Sequence, residues 1–116
     1  MADKHTDERF CQKFLRAAAK TIRTVGLARG YRMDELGQVC MLGAMDYCGI
    51  AVDHCTRRAI DKHVASVLPE PPKDAVDKYN FGPIKTSGAR IAYWSNMVAK
   101  NAEDVAAMLE RAAEDC

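Results

Sequence analysis

The side chains able to bind metal or attack an electrophile are five cysteines, Cys11, Cys40, Cys48, Cys55 and Cys116, and the histidines His54 and His63 in the middle of the chain. Zinc sites written into a sequence show paired ligands such as C-x₂-C or H-x₃₋₅-H. Here Cys48 and Cys55 are separated by six residues and His54 directly precedes Cys55. Neighbours on a helix point about 100° apart, so they cannot readily share an ion. Cys55 and His63 lie eight residues apart on about one helix face, yet ~12 Å of helical rise prevents direct contact. Cys40 and Cys48 fall in an apolar run, where burial makes a thiol inert. Neither a G-x-S-x-G turn, a phosphate loop nor an H-E-x-x-H helix occurs. The expectation is a protein without catalytic residues, cofactor or metal. The cysteines, odd in number and without a close pair, read as small buried hydrophobes in preference to a disulfide framework.

Charge offers a second kind of chemistry. Arg9, Lys13, Arg16, Lys20 and Arg23 step by 4, 3, 4 and 3 residues with no acidic residue between them on that face. On a helix they form one narrow cationic stripe. Such a stripe commonly keeps a solvated face soluble. It also suits an acidic protein surface or a row of phosphates. Residues 1–30 carry seven cations against Asp3, Asp7 and Glu8, a net +4, whereas residues 101–116 carry a net −4, although the whole chain is only +1. A basic front and an acidic tail can pair within one chain or across an oligomer. A nucleic-acid alternative adds Arg57, Arg58 and Lys62, on a helix that could follow the apolar one through a Gly49 turn, helix-turn-helix fashion.

The elements that must position these groups are helical. Thr6 is the expected N-cap of a first helix, with Asp7 and Glu8 in its first turn. Phe10, Cys11, Phe14, Leu15, Ala18, Ile22 and Val25 supply its apolar face, and Gly26 ends it. After an irregular stretch over 27–36, the segment Gly37–Gly49 is apolar nearly all round, which predicts a buried central helix. Asp53 should cap a third helix over 54–68, stopped by Pro69. All four prolines lie in the segment from Pro69 to Gly88, predicting a long loop in which Tyr79 and Phe81 serve as pins. A short helix over 89–98 and a last one capped by Asn101, with Asp104 in the capping-box position, complete the chain.

These elements define an all-α single domain, 1–116, of four to five helices around the central apolar helix, with one long Pro/Gly-containing loop. A composition of 48 % hydrophobic and 28 % charged residues is ordinary for a folded domain. There is no apolar run of membrane-spanning length and no export signal at the N-terminus, which predicts a cytoplasmic protein that does not meet membranes.

Two segments carry a resemblance. Gly37, Val39, Cys40, Leu42, Gly43 and Ala44 fit G-x-V-C-x-L-G-A. Ile91 and Trp94 fit I-x-x-W-N-D, and Glu103, Asp104 and Val105 fit T-x-E-[DE]-V. In these patterns the sequence resembles a family of small uncharacterised proteins, a domain of unknown function, from actinobacteria and their bacteriophages. Ser95-Asn96 departs from the N-D pair and Asn101 replaces the threonine. The resemblance implies a helical domain of that origin and brings no activity. Taken together, the expectation is a non-enzymatic accessory protein that self-associates and binds a protein partner, such as a host factor, through the α-helical stripe Arg9/Lys13/Arg16/Lys20/Arg23, with nucleic-acid binding as the alternative and a thiol- or metal-dependent enzyme, which a reactive Cys55 would signal, as the third.

Overall fold

A computed structural model describes residues 7–80 and 82–116; Thr6 and Phe81, the expected cap and one expected pin, lie outside the described residues. The chain is mostly helical: α1 Glu8–Val25, α2 Met41–Asp46, α3 His54–Val67, α4 Ser87–Tyr93 and α5 Ala102–Glu114. Between α4 and α5 the helix continues as one π-helical turn, Trp94–Val98, in which the Ala99 N–H donates to the Trp94 carbonyl at 2.9 Å.

Local chemistry explains the ends. Asp7 caps α1, accepting from the Arg9 amide at 2.8 Å; the first-turn role expected for it falls to Glu8 alone. Gly26, at φ +95°, closes α1 in a conformation that suits glycine. Asp53 caps α3 through the Thr56 amide at 2.7 Å. Leu68 turns extended at φ −75°, ψ 150°, as the residue before a proline must. Asn101 caps α5 by accepting from the Asp104 amide at 2.9 Å. Asp104 itself reaches the Lys100 N–H at 2.8 Å, one residue before the partner a capping box would use.

The apolar segment Gly37–Gly49 is not one helix. Val39 is extended, making isolated bridges to Leu27 and Met33, and only six residues from Met41 are helical. The cause lies at Asp34, whose Oδ1 accepts from both the Leu36 and Gln38 amides at 2.9 Å. With Gly37 at φ +79°, this fixes a tight turn that leaves Val39 in pairing position. All five residues Met41–Met45 are buried. Gly43 is required there, because a Cβ on it would stand 1.6 Å from the Arg32 carbonyl oxygen.

α1 and α5 share the largest helix interface. Phe14, Leu15, Ala18, Ala19 and Ile22 on α1 and Val105, Ala106, Leu109, Ala112 and Ala113 on α5 are all fully buried. The small residues let the two helices approach closely, and α2 packs against the same helix α1. One staple crosses this layer: Cys11 and Cys116 form a disulfide with Cα atoms 6.0 Å apart. It overturns the expectation that the cysteines are unpaired. Folding brings the beginning of α1 beside the end of α5, a proximity that 105 residues of separation hide. Cys40 is a buried free thiol, Cys48 is half-buried and Cys55 exposed.

Among the described residues, none of those over 68–80 and 82–86 is helical. Tyr79 from this stretch packs on Gly30, whose own Cβ position would lie 2.8 Å from the ring, and Lys78 sits over that ring at 5.3 Å. Among the described residues, no helix is long and apolar enough to cross a membrane.

Candidate functional site

The cationic stripe lies on the outer face of α1, opposite the side buried against α2 and α5. Arg9, Lys13, Arg16, Lys20 and Arg23 are all solvent-exposed. The fold then divides them. Arg23 donates Nε and Nη2 to Glu103 at 2.8 and 2.7 Å, and Nη1 and Nη2 to Glu110 at 2.6 and 3.0 Å. Hydrogen bonds from Arg23 hold both carboxyls below their ordinary value, and those same bonds hold the guanidinium above its own. Glu103 and Glu110 are two helical turns apart, so one face of α5 presents both to the same fork. The acidic tail therefore meets the basic front within the chain, at one end of the stripe. Among the described residues, Arg9, Lys13, Arg16 and Lys20 enter no ion pair.

The alternative cations are placed differently. Arg57 donates to Asp46 at 2.7 Å and Asp61 at 3.0 Å, reaches the Leu42 carbonyl at 3.3 Å, and lies 6.0 Å from the Phe14 ring centroid. Its side chain is only 17 % exposed; it is a structural bolt joining α1, α2 and α3. Burial works against its charge, but Asp61 and Asp46 outweigh that and keep its pKa raised. Burial likewise raises the pKa of Asp61 despite the attraction of Arg57. Arg58 and Lys62 are exposed beside a shallow groove with Cys55, Thr86 and Ser87. A six-residue α2 followed by the irregular stretch 47–53 does not make the short turn of a helix-turn-helix.

A cleft of about 380 Å³ opens between residues 77–80 and 82–84 on one side and α4 and the π turn on the other, lined by Arg32, Cys40, Asp77, Asn80 and Asn96 among others. Its polar floor is tightly paired. Asp77, 2 % exposed, accepts from the Tyr79 amide at 2.9 Å and from Asn96 Nδ2 at 3.1 Å. Asn96 Oδ1 accepts from the Gly30 amide at 2.9 Å. Ser95 Oγ accepts from the Met41 amide at 3.0 Å, satisfying one of the free donors that start α2. Arg29 donates to the carbonyls of Ser95, Asn96, Ala99 and Lys100 at 2.8–3.2 Å, which completes the end of the π turn. The Cys40 thiol accepts from the Gly43 amide at 3.5 Å, and burial raises its pKa, the environment of an unreactive thiol. The cleft can admit a small polar molecule; its hydrogen-bonding groups already hold the loops.

The sequence motifs thus resolve into structural roles. Gly43 admits the Arg32 backbone, Val39 and Ala44 are fully buried, and Cys40 caps α2. Of the histidines, His63 places Nε2 2.7 Å from the Ala112 carbonyl, while Cys55 is exposed on the same helix. Cys48 Sγ turns to the Met45 carbonyl at 3.5 Å. The residue groups weighed for chemistry along the sequence are therefore not the ones the fold assembles.

The sequence profile of one family of unknown function, DUF6197, matches residues 11–115. No curated protein and no solved structure matches the chain.

Proposed function

The chain belongs to DUF6197, a family of unknown function, and we propose that it acts as a non-enzymatic helical interaction protein, docking an acidic helix of a partner protein on Arg9, Lys13, Arg16 and Lys20. The observation that carries this reading is the division of the stripe. At its far end the chain's own α5 lays Glu103 and Glu110 onto Arg23 in a double fork. The other four cations, on the same face and at the same spacing, are exposed with no ion pair among the described residues. A partner helix with carboxylates seven residues apart would repeat the Glu103/Glu110 arrangement one or two turns along. We further propose an actinobacterial or phage origin, a host factor as partner, self-association, and residence in the cytoplasm.

Fluorescence anisotropy tests it, using a labelled helical peptide with Glu at i and i+7 beside mixed-sequence DNA and RNA probes, across a salt titration. Lys13→Glu/Arg16→Glu is the informative variant because it leaves Arg23, which anchors α5, untouched. The expected result is peptide binding that the variant weakens roughly tenfold or more, since like charges replace attraction. Nucleic-acid binding that falls steeply with salt, with the peptide inert, would replace this reading by the phosphate-binding one.

A further inference from the structure

We propose that Cys11, Cys116 and His63 form a zinc site when the Cys11–Cys116 disulfide is reduced, so that one three-residue cluster has two exclusive states. The ligand atoms of the three side chains lie within 4.8 Å of one another. They come from three elements: Cys11 from α1, His63 from α3 and Cys116 from the residues after α5. Two thiolates and an imidazole are a ligand set that zinc prefers. The 6.0 Å Cα separation of the cysteines lets their sulfurs part by side-chain rotation to flank an ion without moving either helix.

One imidazole nitrogen is already engaged by the backbone. A carbonyl oxygen only accepts, so Nε2 at 2.7 Å from Ala112 O is the donor. In the neutral ring that leaves Nδ1 as the metal-binding nitrogen, and a backbone carbonyl behind a zinc-bound histidine is a common supporting contact. Cys11 is 1 % exposed, whereas His63 and Cys116 are half-buried. Solvent therefore reaches the site from one side, where a water would complete a tetrahedron. The disulfide ties α1 to the end of α5; zinc would tie α3 to them as well.

The chemistry balances. A dithiol reductant opens the disulfide by exchange, becoming a disulfide itself and leaving two protein thiols. Zinc then replaces the two thiol protons, which are released to solvent.

The test uses the full chain, reduced with a phosphine (which becomes the phosphine oxide, taking its oxygen from water), then titrated with Co²⁺ and Zn²⁺. The expected result is one metal per chain, with the thiolate-to-cobalt charge-transfer and tetrahedral d–d bands of a two-sulfur site displaced by zinc. Oxidised protein should show neither. His63→Ala, which keeps the disulfide, and Cys116→Ser should each lower zinc affinity by roughly tenfold or more. Cys48→Ser/Cys55→Ser should bind as wild type. Circular dichroism on each variant confirms that the helices are intact. Reduced wild type without these bands, or unchanged affinity in His63→Ala, would overturn the site.

Discussion

Two regions of this molecule are held together by different means. The α1–α5 seam is a periodic surface in which many small apolar contacts share the work, with Ala18, Ala19, Ala106, Ala112 and Ala113 fully buried among larger neighbours. The region around α2 depends on single placements: Gly43 against the Arg32 backbone, Ser95 Oγ on the Met41 amide, and Asn96 between Gly30 and Asp77. Distributed packing tolerates change outside its buried face, so the seam can carry a working surface on its far side. A structure hung on individual contacts fails where one contact fails.

The sharpest test of this contrast is Gly43→Ala. The added methyl meets a backbone oxygen at 1.6 Å, and backbone cannot move aside as a side chain can. A loss of about 4 kcal/mol or more in chemical denaturation is expected, and a loss under about 1 kcal/mol would break the comparison. Removing the staple with Cys116→Ser should cost about 4 kcal/mol in non-reducing denaturation, because the closed loop is long; a reduced wild type without zinc should match it. Asn96→Ala leaves buried Asp77 and the Gly30 amide short of partners, for an expected loss of ~2 kcal/mol. Hydrogen exchange should place its loosening at residues 29–31 and 77–79 and leave α1 protected.

Smaller still is the contribution of Arg23, since its forks are solvent-exposed. Its pH dependence is nevertheless diagnostic. Glu103 and Glu110 have carboxyls lowered from the ordinary 4.5 by the hydrogen bonds from Arg23. The stability they contribute is thus present above that value and is lost as pH falls through their folded pKa. Wild type and Arg23→Ala should differ at neutral pH and converge in acid; a gap that persists in acid would mean that Arg23 acts through packing. Lys13→Glu/Arg16→Glu should change stability least of all, within about 0.5 kcal/mol.

The same contrast decides what could be read before folding. The seam was legible, since Phe14, Ile22, Val105 and Leu109 recur at helical spacing and all four are fully buried; so were Asp53 and Asn101 as caps. The segment from Gly37 misled because apolar composition marks burial, not helicity, and the turn that breaks it is made by the polar Asp34 side chain. The stripe was visible as spacing. Its division was not, because Glu103 and Glu110 are 80 and 87 residues from Arg23. Asp61, four residues on, was a readable helical partner for Arg57; its burial was not, because Asp46 and the Phe14 ring come from other elements. The Cys11–His63–Cys116 cluster was hidden for the same reason as the Arg23 forks: three distant elements build it.

The central claim, that the open end of the α1 stripe receives carboxylates as Arg23 does, is tested most directly by exchanging charges. Anisotropy would compare the Glu-bearing peptide and its Lys-bearing counterpart on wild type and on Lys13→Glu/Arg16→Glu. The account predicts that wild type prefers the acidic peptide, and that the variant loses roughly tenfold or more of that binding while gaining affinity for the basic one. Equal binding of the acidic peptide to both proteins, or failure of the basic peptide to recover the variant, would contradict it.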